Sequence, residues 1–299
     1  MKYALILAAI IVAALILLFV FYSQPKAQGT SSMPIAQAVI ELNMSPEKFA
    51  AINQVDLKHG IDRQPAGLDF YSVDWPSTAR GQVFLEHGPY SFAFPNTLGV
   101  TGTYDRSFPN KGLYVFHING GMATQSDIYH DEARLRFLEF LAILKQKGWQ
   151  RFIGLGDPRL TAHQALQYAL IKKPGRSIPT NVLYSLPIDA EIDLNTWMQI
   201  EDNDWRMYAG DAIMKIGFRR DTSRLDLDKP SAYLFSYEIY NRQQLIMNQL
   251  SSEERKQAAQ IWPERKLELE EKRLQKEALL ELQGYHIDKS YVDPVLELE

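Results

Sequence analysis

The stretch LYVFHINGGMATQSDIYHDEARLRFLEFL, Leu113–Leu141, holds a strand pattern, a glycine loop and a helix pattern in immediate succession. Aromatic and branched residues dominate its first part, and strand alternation puts His117 on the same face as Leu113 and Val115. In its last part, apolar residues recur at helical spacing, which predicts a helix over about residues 131–147. The stretch therefore predicts a strand, a long exposed loop and an amphipathic helix.

Strand patterns also flank this stretch. β-like segments separated by Gly, Pro, Asn and Asp fill residues 67–118, and another strand pattern covers Trp149 to Leu155. A helix start, with a serine cap followed by proline and an acid, precedes them at Ser45. The order strand, helix, several strands, helix, strand predicts an α+β fold with helices packed on one side of a mostly antiparallel sheet.

We divide the folded part into three regions. The first α+β subdomain covers residues 35–156, and a second covers residues 157–250, where a helix pattern is again followed by strand patterns. From residue 251 the composition becomes charged and rich in leucine. This change predicts a helical C-terminal arm over residues 251–299.

The amino terminus contains an uncharged apolar run, Tyr3 to Tyr22, about as long as the roughly 20 residues that a helix needs to cross a bilayer. The run exceeds the roughly 7–15 apolar residues of a cleaved signal peptide, so we predict an uncleaved transmembrane signal anchor over residues 1–23. The small and polar residues 24–34 then form a tether. Lys2 favours a cytoplasmic amino terminus, which in a bacterium puts the rest of the chain in the periplasm, attached to the inner membrane.

Composition excludes several classes of function. The formal net charge of −4 gives no excess of basic residues with which to bind nucleic acid. The chain has no cysteine, which excludes disulfides, a thiolate nucleophile and cysteine-based metal sites. Neither an H-E-x-x-H motif nor a phosphate-loop motif occurs, and the sequence predicts no cofactor and no metal.

Three residues are candidates for a dispersed catalytic site: His117 on the predicted strand, His130 at the start of the predicted helix, and Asp157 at the end of another strand. Each also has a structural interpretation. A histidine among apolar neighbours is typically hydrogen-bonded within the fold, and Asp157 before Pro158 is a common turn and helix start. These alternatives remain open at the level of sequence.

Two segments are candidates for protein binding. The first is the loop Asn119 to Tyr129, where Asn119, Gly120 and Gly121 supply a flexible and exposed backbone. The second is the C-terminal arm, in which apolar side chains form a stripe along the helix. The stripe contains Leu267, Leu274, Ala278 and Leu282, whereas Leu269 and Leu280 fall nearly opposite it. The arm either lays its stripe on its own domain or offers it to a partner.

This layout predicts a membrane-anchored, periplasm-facing protein that binds another envelope protein without catalysis. An immunity protein against a toxin, or an accessory or adaptor protein of a bacterial secretion system, fits such a layout. The alternative is an envelope hydrolase with a dispersed active site built from His117, His130 and Asp157. A sensor of small ligands is a third possibility.

Overall fold

The computed structural model describes residues 36–58, 60–172, 179, 181 and 183–298. The predicted anchor and tether, residues 1–34, lie outside the described residues. Within the described part, no helix is both long enough and apolar enough to cross a membrane. The folded part, Ile35–Glu299, forms one compact unit.

Eleven strands and six α-helices make up the described part of this unit. The strands are β1 (Gln37–Ile40), β2 (Ile61–Arg63), β3 (Leu68–Asp74), β4 (Gly81–Leu85), β5 (Phe92–Asp105), β6 (Leu113–Gly120), β7 (Asp127–Tyr129), β8 (Gln150–Arg151), β9 (Trp205–Ala209), β10 (Ala212–Arg220) and β11 (Pro230–Asn241). The helices are α1 (Pro46–Asn53), α2 (His130–Gln146), α3 (Ala162–Leu170), α4 (Leu194–Gln199), α5 (Arg242–Asn248) and α6 (Ala258–Leu282).

The strands form one mixed sheet whose main path has the order β1-β4-β5-β6-β11-β10-β9-β8, with β3 also pairing with β5. β1 runs parallel to β4, and the other pairs of named strands are antiparallel. The predicted α+β class with a mostly antiparallel sheet and a C-terminal helix is therefore confirmed.

The centre of the sheet joins the two predicted subdomains. β6 pairs with β11 from Gly120 opposite Phe235 to Val115 opposite Tyr240. Strands that precede and strands that follow residue 156 thus pair within one sheet, so the sheet continues across the predicted boundary between the two subdomains.

One face of the sheet carries the main core. A representative row across the strands consists of Tyr71, Gly102, Phe116, Ile239, Met214 and Met207. A Cβ on Gly102 would lie only 2.8 Å from Cε1 of Phe116, so the ring needs glycine opposite it. Helices α1 to α4 all contribute buried side chains to this face. The boundaries of α2 agree with the predicted helix to within one residue at each end.

The opposite face of the sheet is covered along only part of its area. Val115, Ile213 and Tyr240 form a second apolar cluster with residues of the C-terminal region, among them Leu245 of α5 and Trp262 of α6. The prediction that helices pack on one side was therefore wrong for the C-terminal region, which packs on the second face. Beyond this cluster the second face is polar and open, because its next row consists of Ser72, Thr101, His117, Glu238, Lys215 and Arg206.

Candidate functional site

His130 is buried in the main core, where its Nδ1 lies 2.6 Å from the hydroxyl oxygen of Tyr233. The same oxygen accepts a hydrogen bond from Nε1 of Trp197 at 3.1 Å. Because the indole N–H can only donate, the Tyr233 hydroxyl is free to donate its proton to a neutral imidazole. Burial lowers the pKa of His130 because it disfavours the charged ring. His130 is thus hydrogen-bonded within the core through its Nδ1, on the face of the sheet away from His117.

This burial predicts a specific dependence of stability on pH. The pKa of His130 is lower in the folded protein than its ordinary value of 6.5, so the unfolded chain binds the proton more readily. The stability that neutral His130 contributes is present above about pH 6.5 and is lost as pH falls below it. We expect the free energy of unfolding, measured in urea, to decrease as pH falls below about 6.5. This decrease should be steeper for the wild type than for His130→Gln, by at most about 1.4 kcal/mol per pH unit.

Replacement of the exposed His117 by glutamine serves as the matched control for the loss of one imidazole. An NMR titration of the His130 ring gives a second readout that needs no variant. Protonation of this ring at or above pH 6.5 in the folded protein would contradict the prediction.

Asp157 lies in the loop after β8, beside the C-terminal helix. Its carboxylate is 3.5 Å from Nζ of Lys276, which also donates a hydrogen bond to the backbone oxygen of Gly156 at 2.7 Å. The loop and α6 border a concavity of about 270 Å³ whose lining includes Trp262 and Leu269. Asp157 therefore helps to hold α6 on the domain.

The three candidate catalytic residues do not form one site. His117 is exposed on the open face of the sheet, whereas His130 bonds to Tyr233 on the opposite, core face. Asp157 lies at the contact with α6. The sheet lies between His117 and His130. The three residues therefore cannot supply the neighbouring base and orienting acid that a catalytic triad requires.

The C-terminal arm is attached to its own domain by charged side chains. Glu277 of α6 accepts hydrogen bonds from Arg159 at Nε, at Nη2 and at the backbone N, at 2.8, 2.7 and 2.9 Å. Burial alone would raise the pKa of Glu277, but the bonds from Arg159 outweigh it and the pKa is lowered. Arg273 is buried and pairs with both carboxylate oxygens of Asp293. The chain after α6 thus folds back against the helix.

This attachment decides which side of α6 faces solvent. Leu280 is buried in the main core and Leu269 packs on the second cluster, so the edge opposite the predicted stripe faces the domain. Leu267, Leu274 and Leu282 are 60%, 58% and 86% exposed. We call these three side chains the leucine stripe. The arm does contact its own domain, but it does so through the edge that carries Leu269 and Leu280. The leucine stripe is left uncovered by the described residues.

The loop after β6 begins with buried residues that contact a distant segment. Gly120 is the last residue of β6 and is buried, as is Gly121, where any Cβ would clash with the guanidinium of Arg80. That guanidinium donates a hydrogen bond to the backbone oxygen of Ala123 at 2.8 Å. The end of the loop forms β7, which pairs with β11. The predicted exposure was therefore wrong for Gly120 and Gly121, whereas Asn119 and residues 124–127 of the loop are exposed.

The open part of the second face contains a polar concavity of about 320 Å³, which we call the open-face groove. Its polar side chains come from β6, β10, β11 and the segment before β9: His117, Asn119, Asp204, Lys215, Ser236 and Glu238. Sequence reasoning identified only His117 and Asn119 of this set. Alternating polar residues in β10 and β11 were the available signal for the rest.

Asp204 is the most enclosed charge of the groove. Burial raises the pKa of its carboxyl, while Lys215 at 3.2 Å and Arg206 at 3.8 Å act in the opposite direction. The backbone of the surrounding strands is engaged in the sheet, so the groove offers no free pair of N–H groups for an oxyanion. Within the described part of the chain, no three His, Asp or Glu side chains converge as metal ligands would.

Comparison with known proteins adds no family. No protein-family model matches this chain, and neither a curated protein nor a solved structure matches it significantly.

Proposed function

We propose that this chain is a membrane-anchored, periplasm-facing protein that binds another envelope protein and has no catalytic role. An immunity protein that neutralises a toxin, or an accessory or adaptor protein of a bacterial secretion system, is the class of function we favour. The proposal combines the apolar run at residues 3–22, which would fix the chain to the inner membrane, with the leucine stripe on α6.

The leucine stripe is the single observation that carries the proposal. Three leucines, each more than half exposed, lie along a helix whose opposite edge is already attached to the domain by Glu277, which binds Arg159, and by Arg273, which donates a hydrogen bond to the Gly154 oxygen. Burying such a side chain in an apolar pocket contributes about 1.5–3 kcal/mol. A rigidly held helix loses little conformational entropy when it enters a groove, so the attachment favours binding by this face.

The occupant that suits the leucine stripe is a partner protein with an apolar groove. The stripe follows one edge of α6, and basic and acidic residues interleave along the rest of the helix surface. This pattern is typical of a helix that inserts apolar side chains into a groove and keeps a polar rim. We expect no nucleic acid among the partners.

Site-specific photo-crosslinking in the full-length chain tests this proposal. A photoreactive residue at position 274, in cells that make the protein, should give one discrete adduct with another protein. The same residue at position 227, also an exposed leucine but in the β10–β11 connection, should not give that adduct.

A second substitution makes the test specific. Leu267→Glu together with Leu282→Glu should abolish the adduct at position 274, because two charges would enter the apolar contact. Since both side chains are exposed, the free energy of unfolding, measured by thermal denaturation, should change by no more than about 0.5 kcal/mol. An adduct that survives both changes, or the absence of any adduct at position 274, would overturn the proposal.

A further inference from the structure

Several polar side chains of the open-face groove have unused hydrogen-bonding capacity. Within the described part of the chain, none of four side chains forms a side-chain hydrogen bond or an ion pair; they are His117, Asn119, Ser236 and Glu238. Lys215, by contrast, is already paired with Asp204 at 3.2 Å. We propose that this groove binds a primary ammonium group, as presented by a small alkyl diamine or by a lysine side chain.

The register of the sheet arranges the acceptors for such a group. Ser236 and Glu238 are two residues apart on β11, so both side chains project from the open face, and Asn119 lies directly opposite Ser236 on β6. The carboxylate, the hydroxyl and the amide oxygen supply three neighbouring acceptors. An ammonium group has three N–H donors and no acceptor, so the groove matches its hydrogen-bonding requirement.

Charge favours a cation over an anion. The groove continues into a second depression that shares Asp204 and Lys215 and adds Glu201, Asp202 and Arg219. Together with Glu238, this gives four carboxylates against three basic side chains, which are Lys215, Arg219 and, beside Asp204, Arg206. An anion would have to approach Glu238 and Asp204, whereas an ammonium group gains a charge-assisted hydrogen bond from Glu238.

The small size of Gly217 keeps the groove open. A Cβ on this residue would lie 3.2 Å from Oδ1 of Asp204 and 3.7 Å from Oγ of Ser236. The Asp204 carboxylate therefore rests close above the glycine, and the space beside it stays available to a ligand. Glu238 forms the far side of this space, between His117 and Lys215 in the same row of the sheet.

Calorimetric titration of the full-length protein tests the assignment, with cadaverine and a capped Gly-Lys-Gly peptide as separate probes. We expect at least one of the two amines to bind, and the one that binds distinguishes a free amine from a protein side chain as the source. Glutarate, a dicarboxylate of the same carbon number as cadaverine, is the charge control and should not bind. Absence of binding by both amines, or equal binding of glutarate, would overturn the proposal.

Glu238→Gln keeps the shape of the side chain and removes its charge. Because hydrogen bonds to charged groups are the stronger ones, this change should weaken amine binding at least about tenfold. Glu271→Gln, on the exposed part of α6, is the matched control and should bind as the wild type does. An unchanged affinity of Glu238→Gln for the amine would overturn the assignment. The proposal for the leucine stripe does not depend on this result.

Discussion

Replacing Phe137 by alanine is expected to lower the free energy of unfolding by about 3–5 kcal/mol. The Phe137 ring is completely buried and lies against four aromatic rings, with centroid distances of 5.6 Å to Trp197, 4.6 Å to Trp205, 6.4 Å to Phe218 and 5.4 Å to Phe235. The neighbouring rings are held by both the sheet and α4, so they cannot easily collapse into the cavity that alanine leaves. Urea unfolding followed by tryptophan fluorescence measures the change.

Leu135→Ala on the same helix is the matched control for this prediction. Leu135 is 52% exposed, so its truncation should change the free energy of unfolding by no more than about 0.5 kcal/mol. Similar losses for the two variants would mean that α2 does not pack on the sheet through Phe137.

Replacing Glu277 by alanine is expected to cost about 3 kcal/mol of stability and to loosen α6. The change leaves the Arg159 guanidinium and the backbone N–H of the same residue without their acceptor. We expect the low end of the range for buried pairs because the Arg159 side chain retains 25% exposure to water. Denaturant unfolding gives the total loss, and hydrogen exchange along α6 shows where the protein opens.

The pH dependence of this effect has a definite sign. The pKa of Glu277 is lowered in the folded state, so its contribution is present above the ordinary value of 4.5 and is lost as pH falls through the folded value. The difference between wild type and Glu277→Ala should therefore narrow in acid. Glu281→Ala, an exposed position on the same helix, should cost no more than about 0.5 kcal/mol. A difference that grows as pH falls would contradict the assigned ion pair.

Local periodicity was sufficient to predict the elements around the central stretch. Apolar residues at helical spacing predicted a helix at 131–147, and α2 spans His130–Gln146. Alternation predicted Leu113, Val115 and His117 on one face of β6, and this holds for Val115 and His117. It was wrong for Leu113, which packs in the main core with Phe116, because the register with β5 shifts between Leu113 and Val115. Both predictions use only the spacing of apolar residues along the chain, because that spacing determines which side chains share one face of a helix or a strand.

Long-range contacts decided what local patterns could not. The glycines at 120 and 121 suggested a flexible loop, but Gly121 lies against the guanidinium of Arg80, and Gly120 lies against the backbone of Asn96 and Thr97. His130 suggested a catalytic base, but its Nδ1 is bonded to the Tyr233 hydroxyl, which also accepts a hydrogen bond from Trp197. In each case the partner comes from a distant segment, so no local pattern could identify it.

The candidate sites divide in the same way. The sequence by itself determined that α6 has two apolar edges, because helical spacing fixes which leucines align. Only the tertiary structure decided that Leu280 faces the core and Leu274 faces solvent, since Arg159 and the Gly154 oxygen hold one edge of α6. The open-face groove likewise depends on strand register, because pairing brings Asn119 of β6 beside Ser236 of β11. Helical faces are a property of the local chain, whereas neighbours across strands are set by hydrogen bonding between distant segments.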